Sequence, residues 1–258
     1  MNKIYMKIGL RISFPNNSLG GEEYYYLYKE VIKFVPFSFT KGYKGYKWNE
    51  KKHIGEIIKS LPNSSIALQD ENGNLFSVGS TAGKNPHQSV LIVQDEKLFT
   101  PNENDILKIL NLRKNLICAY LYNFEYTLVQ SSSSKSLYTH LRIPNFILDS
   151  VKSTPHKIGI FGDKIYLTKF NAGRELMIGE AWLVSGWKMF FFEPFFNLVE
   201  KSKVLSFPYA SKIQEIENGG VYVNLFDHIK ESHTPDSMFR QWKWQEWIDF
   251  DNLENKYF

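Results

Sequence analysis

Residues 186–199 read GWKMFFFEPFFNLV, and half of these fourteen side chains are aromatic or Met: Trp187, Met189, Phe190, Phe191, Phe192, Phe195 and Phe196. A membrane-spanning helix needs about 20 mostly apolar residues. This run is shorter and holds Lys188, Glu193 and Pro194, so it does not span. Pro194 sits where the first turn of a helix tolerates proline. The stretch therefore predicts a buried core strand, WKMFFF, that enters a helix over PFFNLVEKS.

The whole chain can house such an element. Its 258 residues are 43% hydrophobic and 16% aromatic, enough core for one large domain or two small lobes. KIYMKIGLRISF (3–14) predicts a strand. Tyr24, Leu27, Tyr28, Val31 and Phe34 recur at helical spacing and predict a helix over about 21–35. The segment 37–49 reads as a loop, and WNEKKHIGEIIKSL as a helix. SIALQD and NLFSVG flank an Asn-Gly pair and predict a hairpin. SVLIVQ (89–94) reads as a strand, ENDILKILNLR as a helix, and NLICAYLYNFEYTLVQ (115–130) as the longest strand-like run. Two further strands turn at Gly162-Asp163, and a second hairpin turns at Asn218-Gly219. DSMFRQWKWQEWIDF predicts a closing helix.

Hairpins mixed with helices, without regular βαβ alternation, predict an α+β fold of mainly antiparallel sheets with packed helices. SSSSKS (131–136) is the one low-complexity stretch. It is the candidate boundary between an N-terminal lobe, 1–130, and a C-terminal lobe, 137–258, unless the two form one continuous domain.

The net charge of +4 is unevenly spread. Residues 1–60 carry 11 Lys/Arg against 5 Asp/Glu, whereas residues 212–258 carry 5 against 9. A basic start suits nucleic acid or an acidic partner, and an acidic end suits a basic protein. Two solvated faces of opposite sign give the same split. The single cysteine, Cys118, excludes an internal disulfide and a multi-Cys zinc site, which fits a reducing, cytoplasmic location. Lys3, Lys7 and Arg11 interrupt the apolar run that a signal peptide needs.

Catalytic patterns fail one after another. GSTAGKN (79–85) is one residue short of a phosphate loop and runs into a strand, so a surface turn is expected. Asp236 followed by Glu254 and Lys256 has the order of a PD…ExK nuclease site, in which carboxylates hold magnesium. Such a site needs its Glu and Lys on a central strand, and here a helix intervenes. His53, His87, His140, His156, His228 and His233 show no zinc spacing. Nothing brings Glu175 or Glu180 to Asp163 as an acid–base pair. Cys118 lies in an apolar run that raises its pKa. Neither a cofactor nor enzymatic activity is expected.

The helix FRQWKWQEWIDF is more informative. At about 100° per residue, Trp242 and Trp244 point to different sides, so Trp242, Trp244 and Trp247 do not share one core. An exposed Trp beside Arg240 and Lys243 suits a protein interface. Aromatics among basic residues also stack single-stranded nucleic acid, but Glu246, Asp249 and Asp251 oppose that here.

The succession GEAWLVSGWKMFF, FPYASKIQEIENGGVYVNLFD and TPDSMFRQWKWQEWIDFDNL resembles bacterial immunity proteins, with the immunity protein 52 family the nearest pattern. The matching features fall on Gly186 and Trp187, Pro208, Gly219 to Asp227, and Pro235 onward, within residues 175–252. A second, Trp-rich immunity family linked to type VI secretion is similar. The resemblance implies a cytoplasmic, non-enzymatic inhibitor that occludes one cognate toxin, often a nuclease of restriction-endonuclease fold. On that reading Asp227, Glu231, Asp236, Glu246, Asp249 and Asp251 are rim charges that mimic nucleic acid in a basic groove. Trp244 or Trp247 is the anchor. The expected partner is the toxin, with neither nucleic acid nor membrane. If the basic end makes the contact instead, Lys41, Lys44 and Lys47 carry it. The alternatives are a metal-dependent nuclease or hydrolase using Asp236, Glu254 and Lys256, and an adaptor with no toxin partner.

Overall fold

The computed structural model describes residues 6–61, 64–81, 87–99, 101–111, 115–134 and 143–257. The N-terminal half comprises β1 (Lys7–Phe14), α1 (Gly21–Val31), β2 (Ser38–Lys41), β3 (Lys44–Lys47), α2 (Glu50–Ser60), β4 (Ile66–Gln69), β5 (Leu75–Thr81), β6 (His87–Asp95) and α3 (Glu103–Asn111). Then follow β7 (Cys118–Asn123), α4 (Phe124–Ser131), α5 (Asn145–Asp149), β8 (His156–Ile158), β9 (Lys164–Tyr166), β10 (Glu175–Ile178) and β11 (Ala181–Val184). The last are β12 (Lys188–Phe191), α6 (Lys201–Leu205), β13 (Lys212–Glu215), β14 (Val221–Asn224), α7 (Pro235–Ile248) and α8 (Phe250–Tyr257).

The fold is α+β, as its pattern predicts. Ten strands form one antiparallel sheet in the order β13-β14-β12-β7-β1-β6-β5-β4-β2-β3, with β10–β11 and β8–β9 as separate ribbons. Because β12 pairs with β7, the sheet draws strands from both sides of the Ser-rich stretch.

Side-chain alternation divides the sheet into two faces. Ile8, Leu10 and Ile12 of β1 point to a core closed by Tyr24, Leu27 and Val31 of α1, Ile57 of α2 and Ile106 of α3. Tyr120 and Tyr122 of β7, with Met189 and Phe191 of β12, point to a second core. Leu183 of β11, Val204 of α6, Trp244 of α7 and Phe250 of α8 close it. Phe190 lies in the first core and Phe191 in the second. A strand covered on both faces needs no polar alternation, which is why KMFF is almost continuously apolar. Trp187, just before it, packs against both cores and donates from Nε1 to the Asp227 carbonyl at 3.2 Å.

Several local expectations change. The long run 115–130 is strand only to Asn123, whose side chain then caps α4 by accepting from the Tyr126 amide. The segment 37–49 is not a loop but contains the β2–β3 hairpin, reversing at Gly42, which has φ +57°. Helix α1 stops at Val31 rather than about residue 35. PFFNLVEKS breaks into a 3-10 turn, Glu193–Asn197, and the short α6. Of the phosphate-loop lookalike, residues 79–81 belong to β5 and 82–85 lie outside the described residues. The predicted strand at 3–14 is described only from residue 6, and residues 135–136 of the Ser-rich stretch are likewise undescribed.

Candidate functional site

Helix α7 begins at Thr234, whose hydroxyl accepts from the Ser237 amide, with Pro235 in the first turn. Its inner face follows the spacing Gln241, Trp244, Gln245, Ile248, all buried. The two glutamines are tied on every side. The Tyr126 hydroxyl donates to Gln241 Oε1 at 2.9 Å, and Gln241 Nε2 donates to the Ser232 carbonyl at 3.1 Å. Gln245 Nε2 donates to the Ala172 carbonyl and to Ser185 Oγ, and its Oε1 accepts from Arg174 Nε at 3.2 Å. Buried amides are costly to leave unpaired, so these bonds fix the rotation of the helix about its own axis.

That rotation decides which aromatics reach solvent. Trp244 is 1% exposed and stacks on Phe191 with ring centroids 5.5 Å apart, with Phe207 edge-on at 5.2 Å. The expectation of Trp244 as an anchor is therefore corrected: it is a core residue with no surface to offer. Trp247 is half-buried, and its Nε1 donates to the Lys203 carbonyl at 2.7 Å. The exposed tryptophan is Trp242, at 37%. Phe239, three residues earlier on the same face, is 46% exposed. Tyr209, at 41%, meets Phe239 edge-on at 5.4 Å, and Arg240 donates to the Tyr209 carbonyl. Phe239, Trp242 and Tyr209 thus make an aromatic patch with Arg240 at its edge. Phe239 and Tyr209 were not singled out in the sequence. The signal for them was the Gln-Trp-Gln-Ile spacing, which is helical but half polar and so does not read as a buried face.

The expected rim charges are scattered and largely engaged. Asp236 pairs with Arg240 at 2.8 Å and Glu246 with Lys243 at 2.7 Å. Asp251 and Glu254 both face the buried Arg174, at 2.8 and 3.6 Å. Asp227, Glu231 and Asp249 are exposed and form no ion pair with any described residue. Asp249 turns the corner between α7 and α8 in the left-handed region, φ 63° and ψ 53°. An open groove of mixed lining, with Leu198 and Leu253 beside Glu200, Lys203, Asn252 and Lys256, runs next to it.

The nuclease-like trio is not brought together. Asp236 lies in the first turn of α7 and Glu254 in α8, beyond a helix roughly 21 Å long at 1.5 Å per residue. Among the described residues, no three His, Cys, Asp or Glu side chains converge so as to hold a metal ion. Burial pushes the Cys118 thiol up to about 12. Glu175, on β10, pairs with the buried Arg11 at 3.1 Å, and the Arg11 guanidinium lies 4.4 Å from the Trp182 ring centroid. This cluster fastens the β10–β11 ribbon to the sheet.

Fold and surface together define an α+β protein with one broad antiparallel sheet and a rigid helix presenting aromatic side chains. Compared with protein-family models, curated proteins and solved structures, the chain matches none. No helix among the described residues is long and apolar enough to cross a membrane.

Proposed function

We propose that this protein is a non-catalytic immunity protein that binds a cognate antibacterial toxin in the cytoplasm and occludes its active site. The observation that carries the reading is the patch of Phe239, Trp242 and Tyr209, exposed on a helix whose phase is locked by buried hydrogen bonds. Interfaces draw their binding energy from a few Trp, Tyr and Arg side chains, and rigid anchors lose little entropy on binding. The resemblance of residues 175–252 to immunity proteins supports the same reading. Asp227, Glu231 and Asp249, without internal ion pairs, are the acidic groups free to steer a basic partner.

The test is co-expression with the product of the neighbouring gene, followed by calorimetry on the purified pair. The expected result is a tight complex and rescue of cell growth. Phe239→Ala with Trp242→Ala should weaken the complex at least ~100-fold while the variant stays folded. An unchanged affinity in that variant removes the patch from the interface, and failure to protect cells removes the function.

A further inference from the structure

We propose that the β2–β3 edge of the sheet, with the first turn of α2, is a binding surface for single-stranded nucleic acid, a site separate from the α7 patch. Five lysines, Lys41, Lys44, Lys47, Lys51 and Lys52, fall here against one carboxylate, Glu50. Glu50 is already held by Lys29 at 2.5 Å. None of the five lysines forms an ion pair with a described residue. Lys41 and Lys44 stand directly opposite each other across the hairpin. Like charges in that position destabilise a strand pair, so the fold retains them at a cost. The acidic end of the chain differs, because most of its carboxylates are internally paired.

Aromatic rings stand among these lysines. Tyr43, at the hairpin turn, is fully exposed, with Phe37 at 53% and Tyr46 at 45%. Tyr46 is braced from behind by Phe39, at 5.8 Å and nearly parallel, and by His53 at 6.0 Å. Trp48 packs on Phe39 and His53 in turn. A rigid, solvent-facing ring between uncompensated cations is the arrangement that stacks bases and follows a phosphate backbone. Edge lysines also guard a sheet against unwanted pairing. That role accounts for Lys44 and Lys47 on β3 but not for Lys51 and Lys52 on a helix, nor for a fully exposed tyrosine. Protein interfaces are depleted in Lys, so a polyanion fits this surface better than an acidic protein. The expectation of no nucleic-acid partner is set aside on these grounds.

The test is fluorescence anisotropy of a labelled oligothymidylate with the full-length protein, titrated at several salt concentrations. Binding should weaken steeply with salt, with a log–log slope of roughly −3.5 for about five phosphates engaged on a single strand. Lys41→Glu with Lys44→Glu and Lys47→Glu should lower affinity at least ~100-fold and flatten the slope. Tyr43→Ala should cost roughly tenfold and leave the slope unchanged. Lys157→Glu with Lys164→Glu and Lys169→Glu, the same change of charge on and just after the β8–β9 ribbon, should bind as the parent does. Circular dichroism checks that each variant is folded. Absence of binding at low salt overturns the proposal, as does an equal loss in the β8–β9 variant. Displacement of the oligonucleotide by a poly-glutamate peptide, with Tyr43→Ala without effect, overturns it in favour of an acidic protein partner.

Discussion

Arg174, whose side chain is 5% exposed, holds the carboxylate of Asp251 at 2.8 Å, although Asp251 itself is 74% exposed. The guanidinium also donates to Gln245 Oε1 and lies 5.8 Å from the Phe250 ring. One buried cation thus joins the strand β10 region to both C-terminal helices. The two ends of this pair have unequal weight. Arg174→Ala should destabilise the protein by about 1–3 kcal/mol, because the buried Gln245 Oε1 loses its donor. Asp251→Asn should change stability by less than about 1 kcal/mol, since its carboxylate is mostly in water. Urea denaturation of both variants measures the difference; equal effects would contradict it.

The tryptophans of α7 should separate core from surface. Trp244→Ala removes a 1%-exposed indole from between Phe191 and Phe207 and should cost about 3–5 kcal/mol. Trp242→Ala should change stability by no more than about 0.5 kcal/mol. Thermal melts of the two variants check this directly, without any partner present.

Glu125 gives a pH dependence whose sign can be stated. Burial pushes its carboxyl from 4.5 up to about 7, against the opposing pull of the Lys7 amide, which donates to it at 3.0 Å. The folded state therefore holds an extra proton between those two values. Stability from this group is fully present below about pH 4.5 and is lost as pH rises through about 7, by at most about 3 kcal/mol. Glu125→Gln removes the titration, so the difference between variant and parent should grow in the variant's favour across that window. A constant difference from acid to neutral pH would refute the assignment.

Cys118 should report unfolding. It is fully buried on β7, with a thiol raised to about 12, so its thiolate is scarce at neutral pH and shielded from reagents. Labelling by an aromatic disulfide should be slow in the native protein and speed up with urea in step with the loss of structure. Fast labelling under native conditions would mean that β7 is accessible.

Gly21 opens α1 where the helix crosses α2. A Cβ at this position would collide with the backbone of Ile58, which has no flexible end to move aside. Gly21→Ala should lower the melting temperature by several degrees, consistent with a cost of about 1–3 kcal/mol for overpacking. Gly55, with open space around it, should accept Ala without such a loss.

Much of the fold was legible in the sequence because it rests on local rules. The turn at Asn218-Gly219 has positive φ at both residues, as its sequence requires, and the apolar run at β12 reports burial on both sides. The α+β class follows from such signals. What the sequence left open was settled by partners far along the chain. Phe124 to Ser131 is rich in strand-forming residues, yet the Asn123 cap and the packing of Tyr126 and Val129 against Ile147 and Val151 make it a helix. The choice of Trp242 over Trp244 as the exposed ring depends on Tyr126 and Ala172 holding the two glutamines. The negative charge of residues 212–258 was countable from composition alone. Its engagement by Arg174 was not, because an ion pair depends on distance in space, and only the packed chain brings residue 174 to residues 251 and 254.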